Sequence, residues 1–91
     1  MLALPLKSLT RDVREAAEVA AGRVPGAVHI PMNDIPARAA ELPKDAPFFV
    51  ICAVGGRSRQ VVDHLRAEGL NALNVAGGTQ AWAQRGWPLE S

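Results

Sequence analysis

The feature that most constrains this chain is FFVICAV, Phe48 to Val54, an apolar run that passes directly into the sequence GGRS. A strand with one face in water alternates apolar and polar residues, so an unbroken run reads as a central parallel strand covered on both faces. From Ser58 the period changes. Val61, Val62 and Leu65 fall on one helical face, while Arg59, Asp63 and Arg66 fall outside it. Gly69 fits a left-handed position just past that helix, with Leu70 placed to fold back on Leu65. NALNVAGG, Asn71 to Gly78, is then a short strand ending in a glycine turn. A last helix near Thr79 to Arg85 repeats the same terminus, with Gly86 past its end, Trp87 set to meet Trp82, and Pro88 preventing continuation. The two tryptophans are expected to close one side of the core.

Upstream, REAAEVAAG is an alanine-rich helix ending at Gly22, and VPGAVHIP is extended or turning, held by Pro25, Gly26 and Pro31. A third helix follows Asn33 or Asp34, with Pro36 in its first turn and Leu42 before Pro43 at its end. Strands alternating with helices along the whole chain predict an α/β domain with a mostly parallel sheet. Ninety-one residues suit a single domain, 1–91, with one core and no internal linker.

Ten Lys plus Arg balance nine Asp plus Glu, and no block of like charge stands out, so neither a nucleic-acid nor a membrane-surface partner is indicated. The apolar opening MLALPLKSL lacks the basic start and cleavage site of a secretory signal, and no segment reaches membrane-spanning length. The expected location is cytoplasmic. One cysteine forms no internal disulfide and cannot supply the thiolates of a structural zinc site, so no metal is expected.

Cys52 falls near the C-terminal end of the central strand. Ligands of open parallel sheets bind outside such ends, where helix N-termini direct free N–H groups. A thiol beside a helix N-terminus and an arginine is favoured as thiolate, the nucleophilic form. Gly55 and Gly56 allow the backbone to curl with positive φ so that successive N–H groups converge on one anionic atom, and Arg57 adds a fixed charge. A lone cysteine in an apolar strand is by composition most often a small inert hydrophobe. The donor-rich loop that follows it favours a reactive one.

The segment CAVGGRS resembles the active-site loop of rhodanese-type sulfurtransferases, DVREAAEVAAGRVPGAVHIP resembles that family's upstream signature, and GGTQAWAQRGWPLES its C-terminal one. Together these blocks span Asp12 to Ser91 in the family's order. The resemblance implies a rhodanese-like three-layer fold, a parallel sheet flanked by helices, and sulfane sulfur carried as a persulfide on Cys52. It also implies that the N–H groups of Ala53, Val54, Gly55, Gly56, Arg57 and Ser58 surround that sulfur. A small-molecule sulfur donor and a thiol acceptor, a protein thiol among them, are the implied partners, with no cofactor. Cys52 and Arg57 have four residues between them. The loops of cysteine-dependent phosphatases and arsenate reductases of related fold are one residue longer, so the short loop favours one sulfur atom over a tetrahedral oxyanion. A non-catalytic rhodanese-fold module is a further alternative, and such modules typically lack the loop cysteine.

Asp12 and Arg14 match the family's Asp-x-Arg element. Arg14 reads as structural, pairing with Glu18 one helical turn on. His29 and His64 are assigned no catalytic role. Ala53 and Val54 put no cation in the first half of the loop, so its mouth should attract a doubly negative donor less than a basic loop would, with Arg57 and Arg59 expected to compensate in part. The chain departs from the family pattern at Arg23, in GRVPGA, and at its beginning. Only eleven residues precede Asp12, and Leu9, Thr10 and Arg11 make a poor buried strand. An incompletely covered sheet edge is expected there, with self-association into a homodimer as its consequence.

Overall fold

The computed structural model describes residues 10–90. Among them four short strands, β1 (Thr10–Asp12), β2 (Val28–His29), β3 (Phe48–Ile51) and β4 (Ala72–Asn74), pair in parallel in the order β2-β1-β3-β4. Helices α1 (Ala16–Ala21), α2 (Ile35–Arg38), α3 (Gly56–Ala67) and α4 (Gly78–Gln84) alternate with them. Turns of 3-10 helix at Met32–Asp34 and Ala39–Glu41 flank α2. This is the expected α/β architecture, with β3 inside the sheet.

Successive residues of β3 face opposite sides of the sheet. Phe48, Val50 and Cys52 join Val61, Val62 and Leu65 of α3 in one apolar cluster, while Ile51 joins Val24 and Ala27 in a second, against which Val75 and Trp82 pack. Helices thus cover both faces.

Two details of the central run differ from expectation. The strand ends at Ile51, one residue before the cysteine, and burial is not continuous: Phe49 is 38% and Val54 62% exposed. Phe49 lies beside Thr10 and Leu73, at the end of the sheet away from Ile51 and the cluster around it. Composition reports that a strand is apolar, whereas its coverage depends on how far a flanking layer extends.

β1 also differs. Its polar sequence reads as a poor buried strand, yet it lies between β2 and β3 with Arg11 and Asp12 both buried. Burial is tolerated because Asp12 meets Arg14 in an ion pair at 2.8 Å. The sheet edge and self-association expected from residues 1–9 lie outside the described residues.

The helix ends at Gly69 and Gly86 close as their sequences predict. At Gly69 (φ +90°) the N–H of Leu70 donates to Leu65 O and that of Gly69 to Arg66 O, each at 3.0 Å. At Gly86 (φ +78°) Trp87 N–H reaches Trp82 O at 3.3 Å and Gly86 N–H reaches Ala83 O at 3.0 Å. Both are Schellman closures. The second brings the indoles edge to face, 4.8 Å between centroids. Only Trp82 packs on the core; Trp87 is 47% exposed and meets the Arg85 guanidinium instead, which corrects the expectation that both rings close the core.

Candidate active site at the end of the third strand

Cys52 follows the last residue of β3, and α3 begins four residues later. The turn is made by Gly55, at φ +105°, which caps the N-terminus of α3 and accepts the first helical hydrogen bond from Arg59 N–H at 3.1 Å. The helix therefore starts at Gly56, two residues before the change of period visible in the sequence. Gly56 is helical rather than left-handed, so the expected pair of positive-φ glycines is a single one.

This turn directs donors at one atom. Cys52 Sγ accepts the N–H of Gly55 at 3.1 Å, the N–H of Ser58 at 3.3 Å and the hydroxyl of Ser58 at 3.3 Å. Burial by itself pushes the thiol pKa up; the Ser58 hydroxyl and the N–H groups of Ser58, Gly55 and Val54 outweigh it and bring the pKa below its ordinary value. The backbone N–H groups that hydrogen-bond Sγ in this structure are those of Gly55 and Ser58.

The loop is held from behind by α4. Thr79 donates to Cys52 O through its N–H at 2.8 Å and its hydroxyl at 3.1 Å, and Gln80 N–H donates to Ala53 O at 2.9 Å. Gly78, at φ +60°, allows this approach: a Cβ there would meet Cys52 O and lie 2.6 Å from both the carbonyl carbon and oxygen of Ala53. On the other flank, Asn74 at the end of β4 accepts from the Ser58 hydroxyl through Oδ1. Sequence reading missed Asn74, Gly78 and Thr79 as parts of the site. The signal was partial: LNVAGGT marks the end of a second strand and the start of a helix, but not that this strand pairs with β3.

The charged residues are arranged differently from expectation. The Arg57 guanidinium makes a two-pronged pair with Glu18 of α1, Nη1 to Oε1 at 2.8 Å and Nη2 to Oε2 at 2.9 Å, and none of its described hydrogen bonds goes to sulfur. This pair holds the Glu18 carboxyl down to about 2 and raises the Arg57 pKa. Arg14, expected to pair with the Glu18 carboxylate, pairs with Asp12, donating from Nε at 2.9 Å and Nη2 at 2.8 Å to its two oxygens. Nη2 also donates to Gly22 O at 2.7 Å and Nη1 to Glu18 O at 3.3 Å. A two-residue spacing along an extended chain brings Asp12 and Arg14 to the same side, which wins over the helical four-residue spacing because Arg14 precedes α1. Asp12 and Arg14 therefore clasp β1 to α1, apart from the sulfur. His29 supports the same corner, its Nε2 lying 2.7 Å from Arg14 O. Arg23 pairs with Glu90 at 3.4 Å, where their backbones also form an antiparallel bridge.

Among the described residues no cluster of His, Cys, Asp and Glu is placed to hold a metal, and no helix is long and apolar enough to cross a membrane.

Comparison with known proteins agrees with this geometry. The chain is 42% identical over 79 residues to a sulfurtransferase of Allochromatium vinosum, covering 86% of this chain and 74% of that one. It is 48% identical over 71 residues to the putative sulfurtransferase YtwF of Bacillus subtilis, covering 78% and 69%. The crystal structure of a rhodanese-related protein from Thermoplasma volcanium superposes with a TM-score of 0.85 at 36% identity, over 89% of this chain and 81% of that one. The family model described as the rhodanese-like domain matches residues 6–85, and the chain belongs to that family.

Proposed function

We propose that the protein is a sulfurtransferase that carries sulfane sulfur as a persulfide on Cys52. The observation that carries this reading is the convergence of the Gly55 and Ser58 N–H groups and the Ser58 hydroxyl on Cys52 Sγ. An inert packing thiol has no use for three donors, whereas a thiolate, and the persulfide anion formed from it, is stabilised by charge-assisted hydrogen bonds. The names of the relatives agree with the reaction class.

In the first half-reaction the Cys52 thiolate attacks the outer sulfur of a donor such as thiosulfate. The donor's S–S bond breaks, sulfite leaves with the electron pair, and the Cys52 persulfide anion remains. In the second, cyanide or a thiolate attacks the outer sulfur and returns the electron pair to Cys52 Sγ. Neither half requires a metal or organic cofactor. Cys52 is itself fully covered, so a donor reaches Sγ only when neighbouring residues shift; residues 53–57 beside it are not among the buried ones.

These 91 residues contain no second cysteine to which the sulfur could move. The loaded form should therefore accumulate when donor is supplied alone. Intact mass spectrometry should show a gain of one sulfur atom with thiosulfate or an organic thiosulfonate, and its loss on adding cyanide or thiol. Cys52→Ser should fold, gain nothing and fail to turn over. A wild-type protein that gains no sulfur from any donor, or a folded serine variant that turns over, contradicts the proposal.

A further inference from the structure

We infer that Glu18 is a specificity-determining residue that holds the Arg57 charge away from incoming donors, so that the site discriminates against dianionic sulfur donors in favour of donors bearing a single negative charge. This rests on the sulfurtransferase reading of Cys52.

Arg57 is the cation inside the loop from Cys52 to Ser58, whose N–H and hydroxyl both reach Cys52 Sγ; Arg59, just beyond it, lies 3.6 Å from the Asp63 carboxylate on α3. A loop that receives an anionic donor would be expected to point such a guanidinium at the donor. Instead both terminal nitrogens donate to the two oxygens of Glu18 on another helix. The planar fork of arginine matches a carboxylate in this geometry and leaves no net charge where the pair sits. The first half of the loop, Ala53 and Val54, adds none. Both partners are about one-third exposed, so the pair lies where an anion in solvent can feel it.

Glu18 is fixed in place independently of Arg57, because its Oε1 also accepts the Glu15 N–H at 2.9 Å at the start of α1. The carboxylate therefore waits for the guanidinium instead of following it. With its pKa near 2, Glu18 stays ionised through the neutral range, so the pairing is permanent there and no proton releases it. The Cys52 thiolate is also among the charges that raise the Arg57 pKa, after Glu18 itself, which places the guanidinium within electrostatic reach of the reacting sulfur.

The test compares two donors that deliver sulfur by the same bond cleavage. Thiosulfate is a dianion and releases sulfite; methanethiosulfonate is a monoanion in which a methyl group replaces one oxygen, and it releases methanesulfinate. The ratio of their kcat/KM values cancels changes in Cys52 reactivity, loop opening and folded fraction. Glu18→Gln keeps an oxygen to accept the Glu15 N–H but removes the charge. The thiosulfate-to-methanethiosulfonate ratio should rise roughly tenfold at low ionic strength, the lower end of electrostatic steering effects. The gain should shrink as salt is added. Arg57→Gln, which leaves Glu18 unopposed, should lower the ratio, and the double variant, neutral like the wild-type pair, should bring it back close to the wild-type value. A purely structural clasp would change the melting temperature of these variants and leave the ratio alone; that result overturns the inference while the persulfide on Cys52 still forms. Should Glu18→Gln fail to fold, the fall expected in Arg57→Gln decides the matter, an unchanged ratio there being equally fatal. Absence of sulfur loading by both donors in wild type overturns this inference together with the function it rests on.

Discussion

At Ser58 a single hydroxyl proton has three acceptors within reach: Cys52 Sγ, Gly55 O and Asn74 Oδ1. Once Cys52 ionises, its full charge competes for that proton better than either neutral carbonyl, so Ser58 stabilises the thiolate more than the thiol. Ser58→Ala leaves burial, the largest influence and one that favours the thiol, opposed only by backbone N–H groups. The pKa of Cys52 should therefore rise. Because reactivity follows the thiolate, the pH profile of iodoacetamide alkylation should move to higher pH, and the rate at a fixed pH on its rising limb should fall severalfold. Asn74 Oδ1 would lose its Ser58 partner, adding a stability loss of about 1–3 kcal/mol. Thermal melts measure that separately from the profile. An alkylation profile that stays in place would show that the backbone donors suffice. Cys52, Gly55 and Ser58 were all legible as one loop in the sequence, because a turn between strand and helix keeps its residues local. Asn74 was not, since its place beside Ser58 depends on β4 pairing with β3.

At the scale of elements, the sulfur loop is only as well placed as α4 holds it. Thr79 and Gln80 bond the carbonyls of Cys52 and Ala53, and the N-terminus of α4 comes this close because Gly78 has no side chain. Gly78→Ala combines a left-handed backbone with a Cβ driven into another segment's peptide group, and neither neighbour is a flexible side-chain end. A stability loss of at least ~1–3 kcal/mol is expected. Sulfur loading should also slow in the protein that remains folded, as the cradle shifts. Gly56→Ala is the informative contrast: Gly56 is helical and its Cβ would meet nothing within 4 Å, so this variant should melt within about 1 kcal/mol of wild type, on the stabilised side. Denaturant titrations of the two variants check the difference. Sequence alone marks both glycines as loop residues and cannot rank them, because what separates them is the close approach of the Cys52–Ala53 segment, more than twenty positions from Gly78. The helix ends at Gly69 and Gly86 were legible for the opposite reason: a Schellman closure uses only neighbouring residues.

Across the whole molecule, the chemistry and the stability of the fold rest on different polar groups. The sulfur cradle is neutral and made mostly of backbone, whereas the interior strand β1 is held by an ion pair with both partners buried, Asp12 and Arg14. Arg14 also donates to Gly22 O at the end of α1 and to Glu18 O within it, so one guanidinium joins the sheet to a helix. The sequence showed Asp-x-Arg but not its depth, since a three-residue polar strand ordinarily marks an edge and only the sheet order puts it inside. Replacing Arg14 with Met keeps much of the volume but leaves the Asp12 carboxylate buried without its partner, a situation that destabilises proteins by about 3–5 kcal/mol. Domains of this size have a total stability of only about 5–15 kcal/mol. The melting temperature should therefore drop by more than ~10 °C. Asp12→Asn combined with Arg14→Met removes the stranded charge and should recover part of the loss. None of the described hydrogen bonds or ion pairs of either residue reaches Cys52, so the folded fraction of each variant, measured well below its melting transition, should still gain one sulfur atom per molecule from a donor. A melting temperature within a few degrees of wild type for Arg14→Met would show that the pair adds little to the fold. Complete loss of loading in a demonstrably folded variant would instead tie Arg14 to the sulfur site.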